Sequence, residues 1–134
     1  MTQRAGPEPI PHEAERSASA VVEAAFRVHR ALGPGLLESV YETCLCHELA
    51  TMGVPFQRQL DLPVHYGSVR LDSGLRLDLV VGGQVVVEVK AVDELTDVHR
   101  AQLLTYLKLT THRVGFLLNF NVARLKDGIV RMVL

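Results

Sequence analysis

The sequence has few cysteines, no long apolar run and no excess of charge of either sign. Its two cysteines, Cys44 and Cys46, match neither the Cys-x-x-Cys spacing of a zinc site nor a disulfide framework. We interpret them as reduced thiols. No apolar run approaches the length of a transmembrane helix, and the N-terminus has no signal-peptide core, so we expect a cytoplasmic protein that does not enter a membrane.

Charge is almost balanced, with 14 basic and 15 acidic residues and a formal net charge of -1. A chain without a positive field is not expected to coat DNA non-specifically. The balanced charge does not exclude an enzyme that contacts a few phosphates. The six histidines are scattered without zinc-ligand spacing, which argues against a structural zinc site.

The composition predicts one folded domain behind a short arm. A chain of 134 residues with a hydrophobic share of 48% can bury a substantial core. Residues 1–12 contain three prolines and no apolar periodicity, so we predict a flexible arm there and a single domain over residues 13–134.

Apolar spacing predicts a mixed α/β layer in the order helix, helix, four strands, helix, two strands. Asp93 or Thr96 can cap the third helix. The predicted helices cover about 13–32, 36–52 and 97–111, and the predicted strands cover 56–66, 69–71, 75–81, 85–90, 113–120 and 129–134.

The central element is a predicted β-hairpin over residues 75–90, which turns at Gly82-Gly83. Alternation places Leu75, Leu77, Leu79 and Val81 on one face of its first strand. On the second strand, Glu88 and Lys90 project side by side. A two-residue loop would set Asp78 opposite Val87, whereas a three-residue loop through Gln84 or a glycine bulge would pair Asp78 with Glu88. We predict the second register.

The predicted pairing of two carboxylates suggests metal chemistry. Carboxylates directly across a ladder repel each other, so Asp78 and Glu88 need a compensating charge. Lys90 supplies part of it, and a divalent cation would supply the rest. Mg²⁺ prefers carboxylate oxygens and water, and a neighbouring lysine can hold or deprotonate an attacking water. Taken alone, however, a Glu-x-Lys tripeptide is more often a surface ion pair.

Two further pairs of residues have both a functional and a structural interpretation. Glu38 could be a third acid, or a first-turn glutamate favoured by the helix dipole with Tyr41 in the core. Locally the structural interpretation is the stronger. Gln102 and Tyr106 could hydrogen-bond a phosphate or a metal-bound water, or could simply pack on the sheet, and both interpretations stay open. His99 is a further possible neighbour of the site.

The order of several short motifs resembles a known family. The segment 28–42, which contains Gly-Leu-Leu-Glu-Ser-Val-Tyr at 35–41, resembles the signature of the GxxExxY protein family. The similarity runs from about residue 17 to the C-terminus, and the ordered series is more specific than any one motif. The later matching segments are 76–81, 87–91, 101–108 and 115–120.

The GxxExxY family in turn resembles the PD-(D/E)XK nuclease superfamily, so the resemblance implies a restriction-endonuclease-like core, a mixed β-sheet flanked by helices. It implies that Lys90 is the catalytic lysine and that the backbone carbonyl of Val89 is a metal ligand. The superfamily's name has a proline where Leu77 stands before Asp78. The residues that it assigns to the metal are Glu38, Asp78 and Glu88, and it places Gln102 and Tyr106 next to the site. We further expect Tyr41 to bind the substrate with Gln102 and Tyr106.

We therefore expect a Mg²⁺-dependent nuclease, with Mn²⁺ able to substitute, that hydrolyses phosphodiester bonds of nucleic acid, DNA in preference to RNA. The alternative is a non-catalytic module that retains the fold and binds nucleic acid or protein. Because the chain is small and nearly neutral, a second copy or a protein partner could help it to grip DNA.

Overall fold

Helices pack on both faces of a five-stranded mixed sheet. The structure, a computed structural model, describes residues 8–134. Neighbouring strands lie in the order β1-β2-β3-β4-β5, and all pairs are antiparallel except β3 with β4. The helices are α1 (His12–Leu32), α2 (Glu38–Thr51) and α3 (Asp97–Thr110), and the strands are β1 (Phe56–Tyr66), β2 (Val69–Val81), β3 (Val85–Lys90), β4 (Val114–Asn119) and β5 (Ile129–Val133). The predicted α/β class and restriction-endonuclease-like arrangement are thereby confirmed.

Two apolar layers hold the sheet between the helices. The first lies under α1 and α2 and includes Val21 and Leu45 with Val87 of β3. The second lies under α3 and includes Leu103 and Leu107 with Val86 of β3 and Leu117 of β4. The two central strands are therefore buried on both faces, which explains their continuous apolar runs. A parallel pair needs a crossover, and α3 supplies it between β3 and β4.

The helix boundaries follow the sequence signals. Helix α1 ends at Gly33, which has a φ of +64° and donates its N–H to the carbonyl of His29 at 2.8 Å. Helix α3 begins after Thr96, whose hydroxyl oxygen accepts from the His99 N–H at 3.3 Å. Thr96 is thus the cap, as one of the two predicted alternatives proposed. No helix within residues 8–134 is long and apolar enough to cross a bilayer.

The turn predicted at Asp72-Ser73-Gly74 was wrong, because these residues lie inside the single long strand β2. Leu62 pairs with Leu75 and Val64 with Leu71, so three residues of β2 lie opposite Pro63 of β1 in a bulge. A Cβ on Gly74 would lie 2.5 Å from Cγ2 of Val64. Glycine is needed there for close cross-strand packing. The four strands predicted before α3 are consequently three.

The apolar face predicted for residues 75–81 is also divided. Leu75 and Leu77 pack in the layer under α3, whereas Leu79 and Val81 pack in the layer under α1 and α2. The strand changes face at Asp78, which has no partner in the β1–β2 ladder between the pairs Arg58–Leu79 and Leu60–Leu77.

The start of the domain lies close to its predicted position. Helix α1 begins at His12, the last residue of the predicted arm. Arg113 donates to the carbonyls of Glu8 at 2.7 Å and Pro9 at 3.1 Å, which holds this segment against the body of the domain. Residues 1–7 of the predicted arm lie outside the described residues.

Candidate active site

The hairpin register places Asp78 beside Glu88. Leu79 pairs with Val87 and Val81 with Val85, so the loop consists of Gly82, Gly83 and Gln84. Both glycines have positive φ values, +61° and +68°. The predicted three-residue loop is confirmed, and the next position in the same register is Asp78 opposite Glu88.

At this position side chains replace the strand pairing. Oδ2 of Asp78 accepts a hydrogen bond from the Val89 N–H at 2.8 Å, and the Asp78 N–H donates to Oε2 of Glu88 at 3.3 Å. The ladder between β2 and β3 ends here, since the last regular pair is Leu79 with Val87. The Asp78 carboxylate is therefore fixed at the point where the two strands separate.

Glu88 is a buried carboxyl group with a perturbed pKa. It is 3% exposed, and its pKa is raised to about 9, chiefly by burial and then by the hydrogen bond and negative charge of Asp78, while Lys90 acts in the opposite sense. The carboxyl is therefore neutral at pH 7 unless more positive charge is brought close to it. Such a group is poised to release a proton when a cation arrives.

Glu38 faces the same region from the first turn of α2. Burial raises the pKa of its carboxyl, the charge of Lys90 lowers it, and that of Asp78 raises it. Glu38 and Asp78 both line an open cavity of about 470 Å³. Asp78 and Glu88 thus lie side by side, and Glu38 shares a cavity with Asp78. The charge of Lys90 lowers the pKa of both Glu38 and Glu88.

Tyr41 fixes the loop that leads to Glu38. Its hydroxyl donates to the carbonyl of Gly33 at 2.6 Å and accepts from the Leu36 N–H at 3.1 Å. Its ring is fully buried and stacks on Phe120, with centroids 4.7 Å apart. These contacts give Tyr41 the structural role weighed in the sequence, and no polar atom of its side chain is left for substrate.

Lys90 ends β3 and is held by the neighbouring strand. Its carbonyl accepts from the Phe120 N–H at 3.0 Å. The buried amide of Asn119 binds both backbone groups of Val92, at 3.1 and 3.0 Å, which fixes the chain just after Lys90. None of the ion pairs among the described residues includes Lys90 or Glu88, so the surface ion-pair interpretation does not describe this hairpin.

Helix α3 brings Tyr106 and Gln102 to the site. Tyr106 is 7% exposed, and burial followed by the negative charges of Glu88 and Asp78 raises the pKa of its hydroxyl. A hydrogen bond with Gln102 acts in the opposite sense, and Gln102 itself is exposed. His99, the further possible neighbour of the site, uses its Nδ1 in the helix cap, where it accepts from the Thr96 N–H at 3.0 Å.

The residues fit a hard divalent cation in their chemistry. Within residues 8–134, no three carboxylate, histidine or cysteine side chains are close enough together to enclose an ion by themselves. Mg²⁺ needs fewer, since it is usually bound through one or two carboxylates, water and substrate phosphates. The adjacent carboxyl groups of Asp78 and Glu88 meet that need. Glu88 is buried, and no positively charged side chain forms an ion pair with it among the described residues.

A comparison with protein families agrees with this geometry. The family model of the PD-(D/E)XK nuclease superfamily matches residues 15–132. The chain belongs to the PD-(D/E)XK nuclease superfamily. No curated protein and no solved structure matches it. The narrower resemblance to the GxxExxY family stays a prediction.

Sequence reasoning missed several supports of this PD-(D/E)XK site. The first is Asn119, which is 2% exposed at the end of an apolar run where a polar residue was the available signal. The second is a hydrogen-bonded group around the buried Glu42, which binds Arg58 and Gln59 of β1. No local motif marks these contacts, since α2 and β1 approach each other only in the folded chain.

Proposed function

We propose that this protein is a metal-dependent nuclease that hydrolyses phosphodiester bonds of nucleic acid, with DNA as the preferred substrate. The observation that carries the proposal is the pairing of Asp78 with Glu88 at the open end of the hairpin, beside Glu38 and Lys90, in a member of a nuclease superfamily. Perturbed carboxyl groups that share a site are typical of functional positions.

Each residue has a distinct part in this proposal. Asp78 and the deprotonated Glu88 would hold Mg²⁺, or Mn²⁺ in its place, with Glu38 and the Val89 carbonyl as further ligands. A bound cation supplies Lewis acidity and neutralises phosphate charge. Lys90 would hold the attacking water and stabilise the negative charge that develops on the phosphate in the transition state, and the exposed Gln102 would orient the phosphate while Tyr106 packs beside it.

Metal binding can be tested without any substrate. A ligand that binds only the folded state raises the melting temperature, so we expect Mn²⁺ or Mg²⁺ to stabilise the wild-type protein. Asp78→Asn should remove most of this shift. If neither ion changes the melting temperature of the wild-type protein, the proposed metal site is contradicted. The non-catalytic binding module would then be the remaining function.

Cleavage tests the assignment of Lys90. Purified protein is incubated with Mn²⁺ and plasmid, linear duplex DNA, single-stranded DNA or RNA. Losing a group that stabilises charge in the transition state costs roughly 10²-fold or more in rate, so Lys90→Ala should lower cleavage by at least about that factor. The matched control is Lys126→Ala, an exposed lysine in the turn before β5. Equal cleavage by wild type and Lys90→Ala would trace the activity to a contaminant.

The near-zero net charge bears on how the substrate is gripped. With a formal charge of -1, the chain offers no general attraction to phosphate. We therefore extend the proposal to a second copy or a protein partner that adds contact area on the substrate. Sedimentation velocity with and without duplex DNA would detect either form of assembly.

A further inference from the structure

A buried glutamate joins helix α2 to the edge strand next to the site. Glu42 is 6% exposed and lies one turn after Glu38 on α2. Arg58 Nε donates to its Oε2 at 2.7 Å, and Gln59 Nε2 donates to its Oε1 at 2.8 Å. Both carboxylate oxygens are thus occupied by neighbouring residues of β1, which fixes the distance between α2 and β1.

Gln59 adopts a backbone conformation that is unusual for its residue type. Its φ is +52°, in the left-handed region that residues with a Cβ seldom occupy. Such a conformation persists only where surrounding contacts impose it. The short hydrogen bond from the Gln59 amide to the buried Glu42 is such a contact.

The same residue lies opposite Asp78. The β1–β2 ladder passes from Arg58–Leu79 to Leu60–Leu77, and both Gln59 and Asp78 are missing from the pairing between them. Gln59, Glu38 and Asp78 also line one cavity. The irregularity in β1 therefore coincides with the place where the Asp78 carboxylate turns toward the Val89 N–H.

We propose that Gln59 is a positioning residue, held by Glu42, that keeps β1 out of the ladder at Asp78 and so orients the Asp78 carboxylate toward Glu88 and the cavity. In a regular ladder the Asp78 side chain would stand on one face of the sheet and could not accept from the β3 backbone. This role rests on the proposed metal-dependent function for its purpose, but the geometry that it predicts is measurable in the metal-free protein.

The first test measures the Val89 amide directly. Gln59→Val removes the amide and introduces a β-branched residue that disfavours positive φ. With Gln59 no longer held, Asp78 should return to the ladder, and the Val89 N–H should lose its acceptor. We expect its hydrogen exchange to accelerate by about tenfold or more relative to Val87, measured by NMR without metal. Gln57→Val is the matched control, because Gln57 lies two residues earlier on β1 in regular pairing with Val80.

The second test separates positioning from stability. Gln59→Asn keeps a residue that tolerates the left-handed region while its shorter amide cannot reach Glu42. We expect the Mn²⁺ concentration at the midpoint of the thermal shift to rise about tenfold in both Gln59 variants, in addition to the fall in metal-free melting temperature that follows from the lost hydrogen bond to the buried Glu42. In cleavage, kcat should fall while KM stays constant.

Two failures can be told apart. Unchanged protection of the Val89 amide in both Gln59 variants would overturn the positioning role, whatever the protein does with metal. A wild-type protein that responds to neither Mn²⁺ nor nucleic acid would instead overturn the proposed function. A lower melting temperature with unchanged Mn²⁺ midpoint would make Gln59 a structural residue only and would also reject the role.

Discussion

Glu88 combines deep burial with a carboxyl group whose pKa is raised to about 9, and this makes the stability of the metal-free protein depend on pH. The folded state holds the proton more tightly than the unfolded chain, where the group has its ordinary pKa near 4.5. The stabilising contribution is complete below the unfolded value and is lost as pH rises through the folded one. Alkaline conditions therefore weaken the fold until a cation is present.

We expect the metal-free protein to lose stability between about pH 6 and about pH 9. Its free energy of unfolding should fall by up to about 1.4 kcal/mol per pH unit, and its melting temperature should fall with it. Glu88→Gln keeps the shape without the titration and should flatten most of this decline, measured by circular dichroism in EDTA. Glu94→Gln, an exposed loop position, should leave the slope as in wild type. Parallel declines in wild type and Glu88→Gln would show that another group is responsible.

Tyr41 offers a second test on a single residue. Tyr41→Phe keeps the ring stacked on Phe120 but removes the hydroxyl that joins Gly33 and Leu36. Two hydrogen bonds at a part-buried site are lost, so the free energy of unfolding should fall by about 1 to 3 kcal/mol in urea titration. Tyr66→Phe is the control, because Tyr66 is 81% exposed. Equal effects of the two changes would remove the structural role given to the Tyr41 hydroxyl.

Beyond the bulge, the far ends of β1 and β2 form a two-stranded ribbon, residues 64–66 with 69–71. Within residues 8–134 it pairs with no other strand, because β3 meets β2 only from Leu79 onward. Tyr66, Val69 and Leu71 at its end are exposed. A two-stranded ribbon without a covering layer has little stability of its own.

We therefore expect amides of this ribbon to exchange faster than those of β3 by hydrogen–deuterium exchange mass spectrometry. Peptides covering Val85–Val89, buried on both faces, are the internal reference. Protection of the ribbon equal to that of β3 at low protein concentration would contradict this expectation. Protection that disappears on dilution would indicate that a second copy covers it.

Sequence patterns predicted most of the elements because the helices and central strands show regular apolar periodicity. The two mistakes on β2 have local physical causes. Asp72-Ser73-Gly74 has the composition of a turn, yet Gly74 serves the close approach of Val64 across a bulge. The alternation of leucines predicted one continuous face, but the strand changes face at Asp78, where a side-chain hydrogen bond replaces the backbone pairing. Both depend on a partner strand that the pattern does not contain.

On the scale of the whole molecule, the candidate site lies at the end of the hairpin, between α2 and α3. Helix α2 brings Glu38 from one side, and α3 brings Gln102 and Tyr106 from the other. The ordered motifs were enough to propose the acids and the lysine as candidates, because each motif lies in one continuous segment of the sequence. Glu42 and Gln59 could not be found in that way, since their relation exists only after α2 has packed against β1.

The three-residue loop at Gly82, Gly83 and Gln84 decides which way every side chain of β3 points. Deleting one of these residues would shift the hairpin by one position and exchange its two faces. Glu88 and Lys90 would still be present in the sequence, but their side chains would point away from Asp78. The length of this loop therefore matters to the candidate site as much as the acids do, and a relative with the same charged residues but a shorter loop would lack the pairing of Asp78 with Glu88.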